Sequence, residues 1–116
     1  MENCIFCKIA RGEIPSNTLY EDDDIIAFHD INPAAPVHFL IIPKVHIASL
    51  AEAGMLHQQV LGKMLGMAGE LAKNQGLAEG FRSIINTGRV GRQDVYHLHM
   101  HIIGGPETLP PMIARS

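Results

Sequence analysis

Histidine alternates with apolar residues between positions 97 and 103, and this pattern constrains the fold more than any other feature of the chain. The segment reads His-Leu-His-Met-His-Ile-Ile. Successive side chains of a strand point to opposite faces, so a strand over 96–103 places His97, His99 and His101 on one face. The apolar residues between them fall on the other face, where they can pack against a helix.

Three imidazole rings on one face favour chemistry or metal binding over simple packing. Buried neutral imidazoles leave ring nitrogens that need partners, and imidazole is the side chain that titrates near physiological pH. The residues alone leave two interpretations open: a metal site made by all three rings, or phosphorus chemistry with one ring as the nucleophile. The Gly/Arg-rich loop over 86–92 favours the second, because its glycines let backbone N–H groups approach an anion.

The remaining patterns predict an α+β fold with a largely antiparallel five-stranded sheet, one long helix and one short helix. Short runs rich in β-branched and aromatic residues, bounded by turn residues, predict the other four strands. These strands cover residues 19–21, 25–30, 37–42 and 81–86. The short helix is predicted near residues 6–10, and Gly12 and Pro15 end it.

The long helix is predicted within residues 50–74, and Gly76 stops it. It begins either at a capping box, Ser49-x-x-Glu52, or later, near Met55. Apolar residues recur along it at helical spacing: Leu61, Met64, Leu65, Ala68, Leu71 and Ala72. One face of this helix can therefore cover the sheet.

Length and composition indicate a single domain over residues 1–116. The formal charge of -3, with scattered Lys and Arg, argues against a nucleic-acid partner, which needs clustered positive charge. We expect no membrane association and a cytoplasmic location, because no apolar stretch could cross a bilayer and no secretory segment is evident. Two closely spaced cysteines in such a chain favour reduced thiols over a structural disulfide.

Residues 97–103 match at every position the mark of the histidine triad (HIT) family, His-φ-His-φ-His-φ-φ, where φ is apolar. The chain resembles the Hint branch of this family, the histidine triad nucleotide-binding proteins. The resemblance lies in this motif and in segments 14–15, 27–30, 37–47 and 96–105. The resemblance covers nearly the whole chain. It implies a homodimer whose sheet continues across both protomers, each binding a purine nucleotide, and it implies hydrolysis of nucleoside 5'-phosphoramidates.

The resemblance also implies a role for each site residue. His99 would be the nucleophile that forms a nucleotidyl-histidine, with His38 beside it in a proton relay. His101 and Asn86 would contact the phosphate, and Asp30 would accept hydrogen bonds from the ribose hydroxyls. The apolar slot for the base and the neighbouring nucleotide-binding positions would be Ile5, Phe6, Ile9, Ile14, Phe28, Ile31, His29, Gly91, Asp94 and Val95.

Two positions depart from the pattern of the branch. Residue 92 is Arg where Gly is usual, and it could add a contact to the phosphate or crowd it. Residue 94 is Asp where Ser or an acid is typical. A carboxylate at Asp94 would repel a phosphate unless it is aimed away or serves the leaving amine.

The pair Cys4-x-x-Cys7 is a weak signal by itself, and no strand precedes it as a thioredoxin-like motif requires. Some relatives, including the galactose-1-phosphate uridylyltransferase branch, combine such a pair with two histidines, one of them the first of the triad. This resemblance implies a structural zinc ion bound by Cys4, Cys7, His46 and His97, which leaves the second histidine free.

Two other functions stay open at this point. One is hydrolysis of dinucleoside polyphosphates, as in the Fhit branch; the Hint-type segments and the end of the last strand at 104–106 favour the phosphoramidate instead. The other is a non-catalytic nucleotide-binding or zinc-binding interaction module, in which the histidines only grip phosphate. A transferase is disfavoured because related transferases carry Gln where His101 stands.

Overall fold

An antiparallel sheet of five strands forms the centre of the computed structural model, which describes residues 3–113. The strands are β1 (Thr18–Glu21), β2 (Ile25–His29), β3 (Val37–Pro43), β4 (Arg82–Ile84) and β5 (Met100–Gly104). The helices are α1 (Ile5–Ala10) and α2 (Gln58–Asn74). The strand order is β1-β2-β3-β5-β4 and each neighbouring pair is antiparallel. The predicted α+β fold with five strands is confirmed.

The central strand β3 divides the core into two layers. Phe39 and Ile41 are buried on one side, against α2 and the alternate residues of β5. Leu40 and Ile42 are buried on the opposite side, against α1. This two-sided burial explains why residues 39–42 of β3 form an unbroken apolar run rather than an alternating one.

The triad histidines lie on the α1 side of the sheet. Leu98, Met100 and Ile102 belong to the core cluster that includes α2, so the histidines between them face the other way. The ring of Phe6 in α1 lies with its centroid 6.0 Å from that of His97. The predicted alternation of histidine and apolar faces is therefore present.

Strand β5 is shorter than predicted, because it begins at Met100 rather than at residue 96. In the β3–β5 ladder Ile41 pairs with Met100. Two residues further back, the ladder would reach Pro43, which has no N–H to donate. The N–H of Leu98 instead donates to the carbonyl of Ile47, at 2.7 Å. His97 thus lies in a bend and His99 in an irregular segment, both before the strand begins. Strand β4 is also shorter than the predicted span of 81–86.

Helix α2 has the later of its two predicted starts. A 3-10 turn, Met55–His57, leads into it, and the N–H of Gly54 donates to Nδ1 of His57 at 3.2 Å. The buried residues of its apolar stripe are Met64, Ala68, Leu71 and Ala72. Leu65 is 62% exposed and does not join the core. No helix within residues 3–113 is both long and apolar enough to cross a membrane.

Candidate active site

His97 is fully buried and its ring orientation is fixed from both sides. Its Nε2–H donates to the backbone carbonyl of Pro43 at 2.8 Å, since a carbonyl can only accept. The lone pair of Nδ1 therefore points toward the two thiols, 3.3 Å from Sγ of Cys4 and 3.5 Å from Sγ of Cys7. Burial lowers the pKa of His97, which keeps the ring neutral.

Four possible metal ligands meet beside α1. Nδ1 of His46 lies 3.2 Å from Sγ of Cys7, and one ligand atom from each of Cys4, Cys7, His46 and His97 lies within 4.8 Å of the others. Two thiols and two imidazole nitrogens are a donor set that suits tetrahedral zinc. The bond from His97 to Pro43 is the kind of outer contact that orients a ligating imidazole. The residues therefore fit the metal that the resemblance implies.

His99 has a buried ring whose orientation is fixed by its neighbours. Its ring is 2% exposed, and its Nδ1–H donates to the carbonyl of His97 at 2.8 Å. The proton of the neutral ring is thereby fixed on Nδ1, which leaves a lone pair on Nε2. The rings of Phe6 and His101 hold it on two sides, with centroids 5.2 and 5.0 Å away. This arrangement presents Nε2 for attack on an electrophile.

A second group of side chains extends from His101 across β3. Nε2 of His38 lies 2.9 Å from Nδ1 of His101 and 3.5 Å from Oδ2 of Asp30. On the opposite edge of the His38 ring, Nδ1 accepts a hydrogen bond of 2.9 Å from the N–H of Ala34. Burial lowers the pKa of both histidines, and the neighbouring rings lower that of His101 further. Both rings are therefore neutral at pH 7.

His38 and His101 line a cavity of about 230 Å³. Asn86 lies in its wall, as the resemblance requires for a residue that contacts phosphate. The remaining lining residues are Ala34, Ile84, Ile103 and Met112.

The loop before the triad is held by internal hydrogen bonds. The Asn86 side-chain amide donates to the carbonyl of Gly91 at 2.8 Å. Gln93 is buried and donates to the carbonyls of Ala48 and Val95 at 2.8 and 2.9 Å, a structural role that the sequence analysis missed. A buried amide of this kind leaves no signal in sequence, because its partners are backbone atoms.

The loop conformation explains why residue 91 is glycine. It also shows the backbone cost of Arg92, which departs from the pattern of the branch. A Cβ atom on Gly91 would lie 2.5 Å from the carbonyl oxygen of Thr87, so only glycine fits there. Arg92 has a φ of 62°, the left-handed region in which glycine is the ordinary residue. The arginine therefore occupies a strained backbone position.

The predicted base slot is only partly buried. Phe6, Ile9 and Phe28 belong to the core beside α1, with Ile14 and Val95 packed against them. Ile5 is 47% exposed and Ile31 is 92% exposed. His29 is half-buried at the end of β2, one residue before Asp30. The buried members pack together beside α1, whereas Ile5 and Ile31 stay exposed, so the predicted residues do not form a closed slot.

Comparisons with known proteins identify the family. Residues 3–113 match the family described as scavenger mRNA decapping enzyme C-term binding. Protein HitA of Neisseria gonorrhoeae is 58% identical over 106 residues, which span 91% of this chain and 99% of that protein. A histidine triad protein from Clostridium difficile superposes with a TM-score of 0.92 at 44% identity, covering 97% of this chain and 98% of that one. The chain belongs to the histidine triad family.

Other members of the histidine triad family carry more specific names. Purine nucleoside phosphoramidase of Escherichia coli is 49% identical over 116 residues, covering 99% of this chain and 97% of that protein. A 14 kDa zinc-binding protein of Zea mays is 50% identical over 110 residues, covering 92% and 86%. A HIT family hydrolase from Legionella pneumophila superposes with a TM-score of 0.89 at 45% identity, covering 94% and 98%. These relatives support the predicted Hint branch.

Proposed function

We propose that this histidine triad protein hydrolyses purine nucleoside 5'-phosphoramidates through a covalent intermediate on His99. One observation carries the proposal. In the neutral ring, the carbonyl of His97 holds the proton of His99 on Nδ1, so Nε2 carries a lone pair. The name of the E. coli relative supports the choice of substrate.

The reaction takes place in two displacements at phosphorus. Nε2 of His99 attacks phosphorus, a P–N(His) bond forms, and the P–N bond to the amine breaks as the amine takes a proton from the solvent. Water then attacks the nucleotidyl-histidine, a P–O bond forms, the P–N(His) bond breaks to release the nucleoside monophosphate, and the proton of the water returns to the solvent. The neutral ring of His101 and the amide of Asn86 would donate hydrogen bonds to the phosphoryl oxygens in both steps.

The nucleotide would lie between Asp30 and α1. The carboxylate of Asp30 would accept hydrogen bonds from the ribose hydroxyls at the end of β2. Ile31 is an almost fully exposed apolar residue beside Asp30, and Ile5 is half-exposed in α1. A purine base between them would cover apolar surface that is otherwise left in water.

We also propose that zinc binds at Cys4, Cys7, His46 and His97. The ligand geometry described above and the zinc-binding relative support this assignment. When bound, zinc supplies structural cross-linking rather than chemistry at phosphorus. The thiols would join α1 to the segment that holds His99, which positions the nucleophile.

The partner that we propose is a second copy of the chain. Strand β4 lies at the edge of the sheet, so its outer backbone groups have no strand beside them within residues 3–113. Leu65 on α2 and Phe81 before β4 are large apolar residues that stay exposed. We expect light scattering to show a dimer, and Leu65→Glu to weaken it more than the control Leu56→Glu.

The activity is tested with an adenosine 5'-phosphoramidate. We expect release of adenylate and, after rapid acid quenching, an adenylyl adduct on residue 99. His99→Ala should remove turnover while the variant stays folded and still binds nucleotide, and His57→Ala is the matched histidine control. A His99→Ala variant with the wild-type rate would contradict the covalent mechanism.

The same assay separates the alternative functions. Faster hydrolysis of diadenosine polyphosphates than of the phosphoramidate would favour the Fhit-type activity. Tight adenylate binding without hydrolysis of either substrate would favour a non-catalytic binding module.

A further inference from the structure

The backbone N–H of Ala34 fixes the position of a proton on His38. A backbone N–H can only donate, so Nδ1 of His38, 2.9 Å away, must carry the lone pair. The carboxylate of Asp30, 3.5 Å from Nε2, favours a proton on that opposite nitrogen. Two contacts from different atoms therefore select the same tautomer of the neutral ring.

This tautomer argues against a second metal site. One ligand atom each from Asp30, His38 and His101 lies within 4.8 Å of the others, which is close enough to hold an ion. A ligating nitrogen must offer a lone pair, however, and Nε2 of His38 carries the proton. The cluster of Asp30, His38 and His101 is therefore a chain of polar contacts rather than a metal site.

The hydrogen bond between His38 and His101 could run in either of two directions. If Nε2 of His38 donates, Nδ1 of His101 accepts and the proton of His101 lies on Nε2. If the direction reverses, His101 carries a lone pair on Nε2. Nε2 of His101 has no hydrogen-bond partner among residues 3–113, so it is left for a ligand. A phosphoryl oxygen binds the first form and is repelled by the second.

We propose that the N–H of Ala34 is a positioning group that sets this direction, so that His101 presents Nε2–H to the phosphate. This inference rests on the proposed function for its ligand and adds a residue that no triad motif contains. Ala34 lines the same cavity as His101 and acts on it through the bond from its N–H to His38. Its side chain is exposed, so only its backbone carries the role.

The direct test is nitrogen-15 NMR of the imidazole rings in the full-length protein at pH 8. Two-bond correlations distinguish a protonated ring nitrogen from an unprotonated one, and His38→Gln and His101→Gln spectra assign the signals. We expect Nδ1 unprotonated and Nε2 protonated on both rings. A proton on Nδ1 of His38, or an average of two tautomers, would overturn the proposal.

A pair of proline variants tests the consequence for catalysis. Ala34→Pro removes the donor, and the control Ala35→Pro removes a neighbouring N–H that makes no hydrogen bond among residues 3–113. We expect kcat/KM to fall about tenfold or more in Ala34→Pro alone, with weaker adenylate binding and a mixed His38 tautomer. Equal losses in both variants would overturn the proposal.

The two measurements separate this inference from the proposed function. If Ala34→Pro does not fold, the wild-type tautomers decide the matter alone. The expected tautomers in a protein that hydrolyses no phosphoramidate would contradict the proposed function and leave the positioning role of Ala34 standing. Hydrolysis of the phosphoramidate by a protein with the reversed tautomers would support the proposed function and contradict the positioning role of Ala34.

Discussion

Oδ1 of Asp94 lies 3.4 Å from Nε2 of His99, the nitrogen that we propose attacks phosphorus. The same oxygen accepts a hydrogen bond of 2.9 Å from the N–H of Val95, which holds the carboxylate in place. The Asp94 side chain is 77% exposed, whereas His99 is buried. A negative charge thus stands at the solvent edge of His99, where our proposal places the phosphate.

Neutralising this carboxylate should tighten the binding of an anionic ligand. We expect Asp94→Asn to lower the adenylate inhibition constant by roughly two- to fivefold at low salt, with a smaller effect at high salt because water and ions screen an exposed charge. Asp23→Asn, an exposed acid in the β1–β2 turn, is the control. Equal inhibition constants for wild type and Asp94→Asn would show that the carboxylate does not meet the phosphate.

Relieving the strained backbone at position 92 should stabilise the protein. Arg92 has a φ of 62°, and the left-handed conformation costs a residue with a Cβ about 1 kcal/mol. We expect Arg92→Gly to raise the free energy of unfolding in urea by roughly that amount. Arg89→Gly, in the same loop without a positive φ, should not stabilise. If both variants lose stability equally, Arg92 is held by contacts that outweigh its strain.

Removing one thiol should empty the proposed zinc site. Metal analysis of the purified protein should give about one zinc per chain, and Cys4→Ser should give almost none. We expect Cys4→Ser to melt at a lower temperature, and a chelator to lower the wild-type melting temperature but not that of the variant. Near-zero zinc in both proteins would reject the site.

Acid should lower the free energy of unfolding because His38 and His101 become protonated. Burial lowers the pKa of His38 and His101 in the folded protein below the ordinary value of 6.5, so the unfolded chain binds protons first as the pH falls. Their contribution to stability is complete above pH 6.5 and declines below it. We expect urea unfolding to show a smaller loss between pH 7.5 and 5.5 in His101→Gln than in wild type. An unchanged pH dependence would mean that these rings do not carry the effect.

Much of the fold could be predicted from local patterns. The alternation at 97–103 correctly placed the histidines on one face and the apolar residues on the other. The apolar run of β3 and the helical stripe of α2 gave the correct element types, because periodicity reflects which face is buried. The predicted ends of the strands were less accurate than their types. The late start of β5 follows from Pro43, which has no N–H for the ladder and belongs to another strand.

The sequence by itself determined the family, the order of the strands along the chain, and the cysteines and histidines that the structure brings together beside α1. Only the tertiary structure decided which nitrogen of each imidazole carries the proton. Those protons are set by Pro43 for His97 and by Ala34 for His38, through backbone atoms whose position depends on the path of distant segments. Any residue type supplies a backbone carbonyl, and any except proline an N–H, so the sequence carries no mark of these contacts.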